Sequence, residues 1–285
     1  MSESAKRIMP QALRNAIRPE VYLAQRGAQK VRQMVGQTGR WPHFLILGAQ
    51  KAGTTTLYDL IMRHPDANSA RTKEIAFFDR NFKWGLDWYK SNFPDDGRVT
   101  GEATPCYLYD PEAAQRIINA VPSETRFIVL LRDPVDRAIS HYFHARRLGY
   151  ETLPIEEALD AEERRIGKEG HRLVGRHHEN RTQEQSFSYI ARGHYSKQLE
   201  RYFSIFPKEN FYIETSNRLF ADPETVVGEC YDFLGLKPSP LRTVKPRNVG
   251  VYSDKVKPEV YEKLREAFSG EKEKLEANLG RNLPW

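Results

Sequence analysis

Two continuous apolar runs, each broken by an abrupt change to small or polar residues, organise the chain. "HFLIL" (His43–Leu47) stops at Gly48, and "RFIVLL" (Arg126–Leu131) stops at Arg132-Asp133-Pro134. Unbroken rather than alternating apolarity marks a strand buried on both faces, as in parallel sheets. After the first run, helical periodicity predicts a helix over Thr54–Arg63. After the second, Asp133 reads as an N-cap and Pro134 as the first residue of a helix to about Arg147. Between them, "RVTGEATPCYLYD" (98–110) holds a short strand and a loop, followed by a helix near Pro111–Ala120. Further helices are predicted near Ile155–Ile166, Ser188–Phe206, Pro223–Leu234, Pro258–Phe268 and Glu271–Leu279, with a strand at Asn210–Thr215. Residues 167–186 are polar and without period, and read as a mobile loop. Strands alternating with helices predict an α/β fold: a single domain with a central, mainly parallel β-sheet flanked by helices on both faces.

Composition narrows the class. The 285 residues, 39% hydrophobic, suffice for one large core. No apolar run approaches the roughly 20 residues of a membrane span, and the N-terminus lacks the apolar core of a secretory signal. Cys106 and Cys230 are far apart and have no CxxC partner, so the default expectation is a reducing cytoplasm without a disulfide framework. The net charge of +6 resides wholly in residues 1–40, which carry eight basic groups against two acids. The chain therefore divides into a basic arm, 1–40, and a charge-balanced domain, 41–285. Leu13, Ile17, Val21 and Ala24 give the arm rough helical spacing, interrupted by Pro19. It is either an extension packed on the domain or a surface helix that touches anionic lipid or an acidic partner. Nucleic acid is not among the expected partners.

The chemistry starts at the first break. "FLILGAQKAGTTTLYDLI" (44–61) runs from a buried strand through a Gly/Ala/Thr turn into a helix. Glycines let backbone N–H groups approach an anion closely, and the helix adds its dipole. The strand-loop-helix is thus P-loop-like. An ATP loop, however, places lysine directly after its last glycine, whereas here Lys51 precedes Gly53, and Thr54, Thr55 and Thr56 follow. At the second break, "RDPVDRAISHY" puts Arg132 at the carboxyl end of a buried strand, the edge where open α/β sheets bind ligands. Ser140 lies seven residues into the helix from Asp133, about 10 Å along its axis. A long arginine and this serine can therefore reach one phosphate from two sides.

Together, "QKAGTTTLYDLIMRHP" and "RDPVDRAISHY" resemble the sulfotransferases that use 3′-phosphoadenosine 5′-phosphosulfate (PAPS), in particular the heparan-sulfate and glycan-type enzymes and their bacterial relatives. The words "KEIAFFD" (73–79), "GLDWYKSNFP" (85–94), "GEATPCYLYDP" (101–111) and "FADPETVVGECYDFLGL" (220–236) extend the resemblance over about 43–285. The resemblance implies that Lys51, Ala52, Gly53, Thr54 and Thr55, with Thr56 adjacent, hold the 5′-phosphosulfate, and that Arg132 and Ser140 hold the 3′-phosphate. It also places a late loop, "KPRNVGVYSD" (245–254), over the nucleotide, with Arg247, Asn248, Gly250 and Tyr252 as candidates. The family's catalytic acid maps onto Glu74, with Glu102 in reserve and His141 as a second choice of base. Lys51 would stabilise charge on the leaving 5′-phosphate, and a carboxylate base would supply roughly 10²–10⁴-fold. No metal is demanded, because a sulfuryl group carries less charge than a γ-phosphoryl.

The acceptor side departs from the family. Where some glycan-acting relatives have a histidine two places after the glutamate, this chain has Ala76; where some have Glu-Lys-Thr-Pro, it has Glu102-Ala103-Thr104-Pro105. Both positions lie near the acceptor in those relatives. Trp84, Trp88 and Tyr89 suggest a wall for a sugar or other flat acceptor. The expected acceptor is a hydroxyl or amine of a glycan, lipid or small metabolite. Two other readings remain at this level: a P-loop nucleotide kinase or ATPase, and a non-catalytic nucleotide-binding module.

Overall fold

The computed structural model describes residues 39–167, 173–174, 181–241 and 256–285. Both apolar runs are strands, β1 (Phe44–Gly48) and β4 (Arg126–Leu131), and every residue of β1 is buried. With β2 (Ala67–Ser69), β3 (Val99–Ala103) and β7 (Phe211–Thr215) they form one sheet in the order β2-β3-β1-β4-β7. All four neighbouring pairs are parallel. From β1 the chain runs out to the edge strand β2, returns through β3 beside β1, and then continues on the other side of β1 through β4 to β7. The strand order therefore reverses between β1 and β4, the place where open sheets bind ligands.

Helices α1 (Thr54–Ile61), α2 (Leu86–Lys90) and α3 (Pro111–Ile118) occupy the first half of the chain. The α4 helix (Pro134–Arg147) begins as its sequence demands: the Asp133 carboxylate accepts from the Asp136 amide at 2.9 Å, and Pro134 opens the first turn. The remaining helices are α5 (Ile155–Asp160), α6 (Glu162–Ile166), α7 (Gln183–Phe187), α8 (Tyr195–Phe203), α9 (Ser216–Ala221), α10 (Pro223–Phe233), α11 (Pro258–Ala267) and α12 (Glu271–Leu279). A ribbon of β5 (Leu173–Val174) and β6 (Arg181–Thr182) is antiparallel.

Three expectations change. The helix expected over Ile155–Ile166 is two, parted at Ala161. The helix expected over Ser188–Phe206 starts at Tyr195, because Ser188 and His194 leave the helical region and Glu162 takes the amides of Ile190 (2.7 Å) and Ala191 (2.8 Å). The expected loop 167–186 contains β5, β6 and most of α7. Its Thr182 and Gln185 form a capping box, and the rest of it lies outside the described residues. Residues 1–38 of the basic arm also lie outside them.

Apolar side chains from both sides of the sheet make the main core, and a second cluster joins α4, α5, Phe187, Tyr189 and α11. That second cluster seats α4, the helix carrying the arginines described below.

Candidate functional site

The turn after β1 is shaped by close packing. A Cβ on Gly48 would meet Leu108 Cβ at 2.7 Å, so the strand end has room for glycine alone. The Ala49 amide donates back to the Leu130 carbonyl of β4 at 2.7 Å. Lys51 then adopts φ +73° and Gly53 φ +100°. Gly53 caps α1 without a side-chain bond, and no acid occupies the first turn. First-turn amides and the helix dipole are thus left to an anion. The Ser216 hydroxyl of α9, within reach of the Ala52 carbonyl (2.5 Å) and the Leu131 carbonyl (3.1 Å), ties the loop to the ends of β4 and β7. Thr54 and Thr56 are buried and Thr55 is half-buried.

Arg132 leaves the carboxyl end of β4 toward this loop. Its Nη1 donates to the Lys51 carbonyl at 3.3 Å and its Nη2 faces Asp136 at 3.4 Å, while Tyr195 donates to the Arg132 carbonyl at 3.0 Å. Ser140 lies two turns along α4 and is buried. Arg137 is fully buried, with Nη2 on the Tyr189 carbonyl, and burial lowers its pKa to about 10. Burial likewise pushes the Lys51 ammonium down to about 8; Arg147, Arg132 and Arg137 press the same way and Glu74 opposes them. Four cations and one carboxylate therefore share a single field around the loop. Even with Asp136 facing Arg132, this surplus of positive charge favours an anion.

The sequence singled out Lys51, Arg132 and Ser140; the structure brings Arg132 onto the Lys51 carbonyl and adds Arg137 and Arg147, which the sequence reading had not singled out, to the field at Lys51. The signal was present: Arg137, Ser140, His144 and Arg147 recur at spacings of three and four, one face of α4.

Glu74 is exposed and lies in the left-handed region at φ +51°, as does Ala76, with buried Ile75 between them. Lys51, Glu74 and Ala76 are the non-glycine residues with positive φ among the described residues. Such conformations persist where their surroundings over-determine them.

Several candidates fall elsewhere. Glu102 is 1% exposed, with Oε1 accepting from Tyr89 (2.8 Å) and Tyr107 (2.9 Å) and Oε2 from Thr104 (2.6 Å). Both oxygens are engaged away from solvent, so it cannot stand in as the base. His141 is buried edge-on to Tyr189 at 5.0 Å, which removes it as well. Tyr89 is fully buried and stacked on Phe77 at 4.6 Å, a core residue rather than an acceptor wall. Ala76 and Ala103 are buried and present no surface to an acceptor. Trp84 and Trp88 are half-exposed and meet edge to face at 4.2 Å, with Trp88 also stacked on Phe77 at 6.1 Å. Arg247, Asn248, Gly250 and Tyr252 lie outside the described residues.

A family model described as "Sulfotransferase domain" matches residues 41–275. The chain belongs to the sulfotransferase family. The chain is 36% identical over 200 residues to human heparan sulfate glucosamine 3-O-sulfotransferase 6, covering 70% of its own length and 53% of the relative's. It thus spans about half the length of that relative. A crystal structure of a sulfotransferase from Alicyclobacillus acidocaldarius superposes with a TM-score of 0.71 at 31% identity, covering 85% of this chain and 97% of that one. The membrane-associated sulfotransferase kil1 of Dictyostelium discoideum is 26% identical over 86% of this chain and 66% of its own. The default of a cytoplasmic compartment does not stand against these relatives, one of them membrane-associated by name and another acting by name on heparan sulfate. Among the described residues, no helix is long and apolar enough to cross a membrane.

Proposed function

We propose that the protein transfers a sulfuryl group from PAPS to a hydroxyl or amine of a glycan, the class named in its heparan-sulfate relatives. The observation that carries this reading is Arg132, from the end of β4, on the carbonyl of Lys51 in a glycine-shaped loop that opens a helix without a side-chain cap and lies in the field of Arg137 and Arg147. The donor supplies an activated sulfuryl group and a phosphate leaving group. Lys51 and the first-turn amides of α1 face the place where charge builds on that leaving group. Arg132 and Ser140, from the neighbouring strand and helix, hold the second phosphate and set the donor's orientation. Glu74, in the same field as Lys51 and open to solvent, takes the acceptor proton. Trp84 and Trp88, beside Phe77 at the end of the Glu74 segment, offer the acceptor an aromatic surface.

Transfer of ³⁵S from labelled PAPS to heparan sulfate and to p-nitrophenol tests this reading. Glu74→Gln is expected to lose about 10²–10⁴-fold in kcat while keeping its affinity for 3′-phosphoadenosine 5′-phosphate (PAP). Full activity in that variant removes Glu74 from the mechanism.

A further inference from the structure

The carboxyl group of Glu102 has no role in the proposed transfer step, yet three hydroxyls, those of Tyr89, Thr104 and Tyr107, converge on it. The starting point is the strained turn above it. Two non-glycine residues, Glu74 and Ala76, adopt φ +51° within three positions, and each such residue is disfavoured on steric grounds. The turn keeps this shape because its backbone is clamped from below. The Ala76 amide donates to Thr104 Oγ1 at 3.1 Å, and the Phe77 amide donates to the Tyr107 hydroxyl at 2.8 Å. On the other side, Asn81 Nδ2 donates to the Ile75 carbonyl at 2.9 Å.

A hydroxyl accepts in a fixed direction only when its own proton is committed elsewhere. Here both protons go to Glu102: Thr104 donates to Oε2 at 2.6 Å and Tyr107 to Oε1 at 2.9 Å, with Tyr89 donating to the same Oε1 at 2.8 Å. Three hydroxyls aimed at its two oxygens make Glu102 the acceptor at the end of the network, which sets the sense of the whole chain, from amide to hydroxyl to carboxyl. Burial of Glu102 in this low-dielectric setting makes each of these bonds count for more, and makes their loss costly.

The network also has a fixed base. Glu102 lies on β3 directly opposite Leu45 of β1 in the parallel register, and β1 is the strand that delivers the phosphate loop. The turn that carries Glu74 and the loop that carries Lys51 therefore hang from one rigid strand pair.

We propose that Glu102 is a positioning residue, which through Thr104 and Tyr107 holds the 74–76 turn in the geometry that presents Glu74 to the acceptor. The proposal rests on the reading of Glu74 as the base.

Two readouts test it. The first is hydrogen exchange at the Ala76 and Phe77 amides, recorded without nucleotide, in the wild type and in Thr104→Val, Thr104→Ser and Tyr107→Phe. Exchange at Ala76 is expected to rise about fivefold or more in Thr104→Val, and at Phe77 in Tyr107→Phe. Thr104→Ser, which keeps the hydroxyl, is expected to restore wild-type protection. The second is ³⁵S transfer from PAPS to heparan sulfate, where Thr104→Val and Glu102→Gln are expected to lower kcat about tenfold or more with the KM for PAPS within about twofold of wild type. Titration with PAP confirms that each variant is folded. Unchanged exchange at both amides, or failure of Thr104→Ser to restore it, overturns the proposal. So does an equal loss of PAP affinity and kcat, which is the signature of general damage. Because the exchange measurement needs no donor, a wild type that fails to bind PAP counts against the sulfotransferase reading and not against this network.

Discussion

The Lys51 ammonium sits in the field of Arg147, Arg132 and Arg137, and burial with those charges brings its pKa down to about 8. A bound phosphate reverses that field and raises the pKa, so the complex holds more protons than the free protein above pH 8. Linkage then fixes the sign: PAP affinity is expected to fall as pH rises through about 8, by up to about tenfold per unit. Isothermal titration between pH 7 and 9.5 reads this directly, and a flat profile contradicts it. Glu102 gives the opposite experiment, on stability. Burial pushes its pKa up to about 7, against the hydrogen bonds from Thr104, Tyr89 and Tyr107. A carboxyl whose folded pKa is raised contributes stability that is complete below its unfolded pKa and lost as pH rises through 7, here on the order of 3 kcal/mol. Glu102→Gln is expected to flatten urea-unfolding stability between pH 5 and 8, and an unchanged slope contradicts the assignment. At this scale the meeting of Lys51 and Arg132 was legible because its signals are local: Lys51 two places before Gly53, and Arg132 at a strand end. Glu102 was not, since nothing in "VTGEA" says that its carboxylate points into a nest of three hydroxyls rather than into the site.

The phosphate loop works as an element because three of its neighbours restrain it: the Leu130 carbonyl, the Arg132 guanidinium and the Ser216 hydroxyl. Gly53 is the position where the loop's left-handed backbone calls for glycine. At φ +100° an alanine is strained, and its Cβ would meet the exposed ring of Phe220 at 3.0 Å. Gly53→Ala is expected to cost about 1–2 kcal/mol, a Tm loss of roughly 2–8 °C, and to weaken PAP binding. A variant with wild-type Tm and affinity would show that the left-handed turn is not needed. Strands β1 and β4 and the start of α4 followed from local pattern, since buried runs and an Asp-Pro cap are signals within a few residues. The stretch before α8 did not. Its helix is interrupted by the Glu162 carboxylate, 28 residues upstream of the Ile190 amide it captures, and helical periodicity cannot register so distant a competitor. The Thr182–Gln185 capping box was readable and was masked by the polarity of its surroundings.

Over the whole molecule, the order β2-β3-β1-β4-β7 is what makes two distant words one site. Lys51 and Arg132 are 81 positions apart in sequence and become neighbours because β1 and β4 pair in parallel with their carboxyl ends together. That much followed from alternating strands and helices. The second core cluster did not, because α4, α5, Phe187, Tyr189 and α11 come from segments spread across more than a hundred residues, with no local pattern announcing their meeting. Yet that cluster seats α4 and with it the face formed by Arg137, Ser140 and Arg147. The acceptor side shows the same limit, since Ala76 and Ala103 turn out to be buried and only the half-exposed Trp84 and Trp88 remain of the expected wall. The central claim is that this crevice binds a 3′,5′-bisphosphorylated adenosine without a metal. Isothermal titration of PAP in the presence of a chelator, beside Mg-ATP as a control, tests it most directly. The account predicts tight PAP binding that Arg132→Ala weakens by about 10–100-fold; binding of Mg-ATP alone, or PAP affinity unchanged in Arg132→Ala, would contradict it.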